Sequence, residues 1–238
     1  HYFNKVYQSD TNLMLSVTAA PIDDDFIIGG FFNWVGGYSA FYLRKIDHLG
    51  NEVWNTIIDG DVNFRTVQLG TAMNKTLDGN IIFAGGIGTS NLEEDFILIK
   101  VDPTGEVLFK KRYETMTKEG GSQVIVCEEG GYLLVGFTQI VEPDIEAPQV
   151  YLVRTDAQGN ILWAQKHSED VIPLYAEQTS DGGFLISGYQ LNSGSSYDMY
   201  VLKTNSHGMV EWERTYGTLD NDGGCYATEH TNGDIIVL

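Results

Sequence analysis

Asp47-His-Leu-Gly50-Asn-Glu-Val-Trp54 is written again as Asp102-Pro-Thr-Gly105-Glu-Val-Leu-Phe109. It returns as Asp156-Ala-Gln-Gly159-Asn-Ile-Leu-Trp163 and as Asn205-Ser-His-Gly208-Met-Val-Glu-Trp212. The phrase is an Asp or Asn, a Gly three residues on, and an aromatic four after that. Phe3 fits the aromatic slot once more, because Tyr7 follows it by four as Tyr113 follows Phe109 and Tyr216 follows Trp212. The anchors 3, 54, 109, 163 and 212 are spaced 51, 55, 54 and 49 residues apart. A period near fifty means stacked supersecondary units.

Two further phrases share this period. The first is a polar-Gly turn before an apolar strand that often ends in Gly. Its copies are Asp25–Gly30, Asp78–Gly86, Gly130–Gly136, Asp181–Gly188 and the unfinished Asn232–Leu238. Asp-Gly and Asn-Gly accept positive φ cheaply and so make tight hairpins. The second covers Phe41–Asp47, Phe96–Asp102, Tyr151–Asp156 and Tyr200–Asn205, where apolar residues alternate until a Lys or Arg appears near the end. Alternation of this kind is the period-two pattern of a strand.

Each period therefore holds four strands, named A to D in chain order. A is the stretch before the Gly turn, B ends in Gly, C carries the late basic residue, and D carries the Trp or Phe anchor. Four antiparallel strands in about fifty residues form the blade of a β-propeller. The expected fold class is all-β. Complete blades are expected at about 13–58, 66–114, 121–168 and 172–217. A partial blade at 224–238 would be completed by a strand at 2–8. On that reading the chain is one propeller domain or segment of a longer polypeptide with five or more blades. The anchor aromatics are expected to fill the space between neighbouring blades.

The order of glycine-ended strand, Tyr-type strand ending in Asp, Gly turn and Trp resembles kelch and quinoprotein-type blades. The wording Asp181-Gly-Gly-Phe-Leu-Ile-Ser-Gly188, Tyr200-Val-Leu-Lys-Thr-Asn205, Gly208, Trp212, Tyr216-Gly217 is similar to propeller repeats of large secreted and surface proteins of bacteria and archaea. The likeness covers nearly the whole chain and implies a secreted or cell-surface setting. The sequence departs from kelch blades in keeping a double Gly only at Gly29-Gly30 and Gly85-Gly86. It departs from sialidase Asp-boxes, which space Asp, Gly and Trp more tightly. The quinone enzymes' catalytic carboxylate and calcium site cannot be mapped onto this sequence.

Composition narrows the function. Of 238 residues, 42% are hydrophobic and 12% aromatic, enough for a sizeable core, and 27 Gly against 5 Pro suit many tight turns. No apolar run is long enough to span a membrane, and no signal peptide is visible at His1. The net charge of −19, from 33 acids and 14 bases, argues against nucleic acid and anionic membranes. It suits solubility, with an acidic face for cationic partners as the alternative. Cys127 and Cys225 fall at different places in their repeats, so both read as core thiols rather than a bridge.

Strands alternate direction, so A–B and C–D turns share one face, while B–C and D–A loops share the other. The first set repeats; the second differs in every blade and is where binding is expected. The expected B–C loops include Ile87–Asp95, and the expected D–A loops include Glu114–Gly121 and Ser168–Asp170. Trp34, Tyr38, Asp59, Asp61, Glu94, Asp95, Tyr197, Asp220 and Asp222 are the candidate ligand-binding residues on that rim. Carboxylates with aromatics suit a sugar or Ca²⁺. Asp59-x-Asp61-x-Asn63 matches the first half of a calcium loop, but Phe64 stands where Gly is needed and Gly70 where Glu is needed. The histidines are scattered, with no metal-ligand spacing, and no nucleophile elbow or phosphate loop occurs. No catalytic, metal or cofactor residue is assigned, calcium being the one ion weighed. The expectation is a non-catalytic platform binding protein or glycan. The alternatives are a carbohydrate hydrolase or lyase using rim carboxylates, and a structural spacer.

Overall fold

The computed structural model describes residues 13–33, 39–58, 66–90, 93–115, 117–140, 147–192, 196–218, 220–222 and 226–238. All regular structure among them is β. The chain divides into two compact units, residues 1–116 and 117–238.

The first unit holds two antiparallel four-stranded sheets. Sheet 1 is β1 (Leu13–Ile22), β2 (Asp25–Asn33), β3 (Ser39–Ile46) and β4 (Glu52–Ile58). Sheet 2 is β5 (Thr66–Lys75), β6 (Ile81–Ser90), β7 (Glu93–Val101) and β8 (Val107–Tyr113). The second unit holds sheet 3, of β9 (Lys118–Val126), β10 (Tyr132–Gln139), β11 (Gln149–Thr155) and β12 (Ile161–Glu169). Sheet 4 is β13 (Val171–Gln178), β14 (Phe184–Leu191), β15 (Tyr197–Thr204) and β16 (Val210–Tyr216). A pair, β17 (Ala227–Glu229) and β18 (Ile235–Val237), follows. In each sheet the strands run in chain order, as four-stranded hairpin repeats require. The stretch around Phe3 and Tyr7 lies outside the described residues.

The repeated turn explains itself residue by residue. Its Asp accepts two backbone N–H groups through Oδ1: Asp102 from Thr104 (2.8 Å) and Glu106 (2.9 Å), Asp156 from Gln158 (2.9 Å) and Asn160 (2.8 Å). Asn205 does the same for His207 and Met209, both at 3.0 Å. An Asn serves because its carbonyl oxygen accepts as a carboxylate does. Gly105 has φ +90° and Gly208 φ +74°. A Cβ at Gly105 would stand 2.9 Å from Trp54 Cε3, and one at Gly208 2.7 Å from Trp163. The glycine thus satisfies the turn and also makes room for the preceding sheet's tryptophan. Trp54 Nε1 donates to Pro103 O (3.0 Å), fixing the ring on that turn.

Within each unit the sheets bury apolar faces against each other. Phe41 of sheet 1 meets Phe83 of sheet 2 edge-on at 5.3 Å, with Ile27, Leu43, Ile97 and Ile99 around them. In the second unit Leu133, Val135 and Leu152 pack with Phe184, Ile186 and Leu202, and half-buried Trp163 closes the cluster. Leu185, next in sequence to Phe184 and Ile186, faces the other way onto Val201 and Ala227, with Trp212, Ile235 and Val237 beside it. The inner strands are therefore buried on both faces, which is why Ile81-Ile82-Phe83 and Tyr132–Val135 read as continuous apolar runs. The D strands alternate, as in the exposure of β4 and β8.

The late basic residue of strand C reaches back under the A–B turn of its own sheet. Lys45 pairs with Asp25 (3.1 Å), Lys100 with Asp78 (2.7 Å) and Lys203 with Asp181 (2.8 Å). Arg154 instead donates to Gly130 O (2.6 Å). Polar links also join equivalent positions of successive sheets. Gln123 Nε2 donates to Ala176 O (2.9 Å) and Gln123 Oε1 accepts from Ala176 N (2.6 Å). Ser180 N donates to Glu229 Oε2 (2.7 Å).

Three expected loops are mostly strand. β6 runs to Ser90 and β7 starts at Glu93, so Ile87–Asp95 is a continued hairpin. Ser168 and Glu169 belong to β12, and Asp170 alone turns the chain at φ +61°. β9 begins at Lys118, inside the expected Glu114–Gly121 loop. In each case ladder pairing with the neighbouring strand extends past the apolar run that marks it in sequence.

Candidate ligand groove

Trp34, Tyr38, Asp59, Asp61 and Asn63 lie outside the described residues. Glu94 and Asp95 are not loop residues: they sit in β7 and are buried, at 1% and 5% exposure. Asp95 Oδ2 accepts from Arg112 Nε (2.6 Å) and Oδ1 from Thr115 N (3.1 Å), so it ties strand C to the end of strand D. Tyr197 and Asp222 are brought together. Asp222 N donates to Tyr197 O (2.9 Å), and the Tyr197 ring lies 5.0 Å from Tyr189. The Asp222 carboxylate accepts from the backbone N–H and hydroxyl of Thr218, and Asp220 N donates to Thr218 Oγ1 (3.2 Å). These bonds shape the loop; Asp220 itself is exposed. Cys127 is a free, buried thiol, and burial raises its pKa to about 11. Cys225 lies outside the described residues. Among the described residues no three His, Cys, Asp or Glu side chains gather as a metal site.

A concavity of about 360 Å³ opens between sheets 3 and 4, lined by Ser168, Gln190, Tyr200, Glu213, Arg214 and Thr215. It lies toward the edge that carries the B–C and D–A connections, since Ser168 and Gln190 end β12 and β14. Tyr200 is 2% exposed, its ring in the core and its hydroxyl reaching the groove. That hydroxyl lies 2.8 Å from Glu213 Oε2 and 2.8 Å from Ser168 Oγ. The Ser168 hydroxyl donates to the same Oε2. Two hydroxyl donors on one oxygen stabilise the anion. Ser168 first and Tyr200 second hold the Glu213 carboxyl below the usual range, against its partial burial. Burial, with Glu213 beside it, pushes the Tyr200 phenol up.

Thr215 Oγ1 donates to Gln190 Oε1 (2.5 Å), and Arg214 Nη1 to Glu213 O (2.7 Å). Among the described residues, Glu213 Oε1, Gln190 Nε2 and the other guanidinium nitrogens of Arg214 take no protein bond. The groove so offers an anionic acceptor, amide donors and a cation. His167 stands behind Ser168. Burial pushes its ring below the ordinary histidine range, against the Glu213 charge and the Gly208 backbone, and its Nε2 is buried without a hydrogen-bond partner among the described residues.

None of the six lining residues was among the candidates read from the sequence. Ser168 stood in an expected loop, and Tyr200 read as a core aromatic. The repeat carries no signal for Glu213, because the residue after the anchor differs in each copy: Asn55, Lys110, Ala164 and Glu213.

No protein-family model and no curated protein matches the chain. Among solved structures it is similar to the endo-arabinase of Bacteroides thetaiotaomicron, with TM-score 0.55, 12% identity, and 95% of this chain and 87% of that one covered. That likeness, with four-stranded antiparallel sheets in sequence order, decides the architecture. The fold is a β-propeller. The propeller is also similar to a GH43 β-xylosidase/α-arabinofuranosidase from a compost metagenome, with TM-score 0.47 and 9% identity over 94% of each chain. A third similar structure is the Synechocystis apocarotenoid oxygenase, with TM-score 0.49 and 12% identity over 79% of this chain and 46% of that one.

Proposed function

We propose that this propeller is a carbohydrate-directed module that holds a glycan in the groove between sheets 3 and 4. The observation that carries the reading is the Ser168–Tyr200–Glu213 cluster beneath an open polar groove. Sugars need just such a mixture of fixed acceptors and donors. The shared fold of an endo-arabinase makes a glycan the first ligand class to test. Binding without hydrolysis suits this groove, because a glycosidase needs two carboxyl groups flanking the bond, one of them protonated. Among the described residues the lining holds one carboxylate, Glu213, with its pKa held below the usual range.

A second reading, a carbohydrate hydrolase or lyase, draws on the 95% coverage of this chain by the arabinase likeness; its carboxylates would lie elsewhere on the same edge. Thermal shift and calorimetry against arabino-oligosaccharides and a broad glycan panel test the first reading. Release of reducing ends tests the second. A panel that raises no melting temperature would return the chain to a protein platform or a structural spacer, because any ligand of the folded state stabilises it by mass action. The proposal includes a secreted or cell-surface setting within a longer bacterial polypeptide, checked by fractionation of the source cells. The kelch and quinoprotein likeness adds no ligand.

A further inference from the structure

We infer that the groove selects neutral sugars bearing vicinal hydroxyls over uronic acids, with Glu213 as the acceptor and Ser168 and Tyr200 as the residues that position it. The inference rests on the carbohydrate reading and deepens it. Both protein donors converge on Glu213 Oε2, which leaves Oε1 to accept from a ligand. An ionised carboxylate can only accept, so it asks for a hydroxyl or ammonium donor and rejects another anion. Gln190 has its carbonyl oxygen occupied by Thr215, so its amide N–H groups are available to the oxygen of a neighbouring hydroxyl. A sugar hydroxyl both donates and accepts, and two adjacent ones match an acceptor and a donor lining one groove. A uronate adds a second negative charge beside Glu213, with Arg214 the one cation in the lining among the described residues. The net charge of −19 opposes it at longer range as well.

The test is calorimetric titration of the whole chain with a neutral arabino-oligosaccharide and a galacturonic-acid oligosaccharide of equal length, at low and high salt. The neutral ligand is expected to bind at least about tenfold tighter at low salt, with the gap narrowing as salt screens the charge. Glu213→Gln is expected to weaken the neutral sugar about tenfold and to narrow the gap. Tyr200→Phe and Ser168→Ala separate positioning from mere structure through the pH profile of binding. Each removes a donor from the carboxylate, so the acid limb of the profile moves to higher pH. A purely structural role would lower affinity and leave that limb in place. His167 and Arg214 are charged or titratable groups near Glu213; His167 also lowers the Glu213 pKa, but less than Ser168 or Tyr200 does, so His167→Gln is expected to move the acid limb less than either donor variant. Sugar binding unchanged by Glu213→Gln, or a preference for the uronate, overturns the inference and leaves the carbohydrate reading standing. Binding of neither sugar overturns both.

Discussion

Lys203 is expected to be cheaper to delete than the acids that hold it. Its side chain is 7% exposed, whereas those of Asp181 and Glu211 are 54% and 43% exposed. Lys203 Nζ donates to Asp181 Oδ2 (2.8 Å), Glu211 Oε2 (2.9 Å) and Thr204 O (3.0 Å). Lys203, with help from Thr179, lowers the Asp181 pKa from 3.8 to about 2. That shift is nominally about 2 kcal/mol, and because the carboxylate is half in water, roughly 1 kcal/mol survives screening. In Lys203→Met the chain of methylenes stays packed and both carboxylates rehydrate, so the expected cost is about 1 kcal/mol. In Asp181→Asn/Glu211→Gln the ammonium stays buried with neutral partners, at a cost of about 3 kcal/mol. For a chain of this size the melting point should fall by about 2–4 °C in the first and roughly three times that in the second. Thermal unfolding at pH 7 in low salt reads both. The pH dependence carries the same signature. A depressed carboxylate adds stability that is complete above its unfolded pKa of 3.8 and is lost as pH falls toward about 2. Lys203→Met should flatten that window. A Lys203→Met protein less stable than the double variant would refute the reasoning.

Gly208→Ala meets both a φ of +74° and Trp163 at 2.7 Å, whereas Gly79→Ala meets only a φ of +80° in open space. Costs of about 3 and about 1 kcal/mol are expected, and equal melting-point losses would contradict the socket role of Gly208. His167 is held neutral by burial, so the unfolded chain protonates first. Stability should decline as pH drops below the unfolded value of 6.5 toward the lower folded one, and His167→Gln should abolish that decline in urea titrations at pH 7 and 5.5. Cys127, buried with a pKa of about 11, should resist thiol reagents at pH 8 in a Cys225→Ser background until the chain unfolds. Prompt labelling of the native protein would count against its burial.

The fold was legible because its decisive residues repeat. Asp102, Asp156 and Asn205 each perform the same local hydrogen bonding, and a fifty-residue period places Trp54 against Gly105 and Trp163 against Gly208. Interactions across a hairpin were harder to see. The Lys or Arg near the end of strand C stood out as a pattern, but its partner lies 22 residues earlier in Asp78–Lys100 and in Asp181–Lys203. Glu94 and Asp95 looked like loop because two acids interrupt the alternation; the Arg112 that neutralises Asp95 comes 17 residues later. The groove was the least visible. Tyr200 occupies the slot of Phe41, Phe96 and Tyr151, so its ring reads as core, and only its hydroxyl has a second duty. Glu213 belongs to one repeat alone, and periodic reasoning averages such residues away.

The seat of Trp54 on Gly105 and of Trp163 on Gly208 has a direction. In both pairs the plug stands in the last strand of one copy and the receptacle in the last hairpin of the copy that follows. A gene that duplicates one whole copy in phase therefore creates both halves of a new joint at once. Insertion of half a copy would leave an indole facing the wrong hairpin. Growth by complete units is the evolutionary route such a joint leaves open.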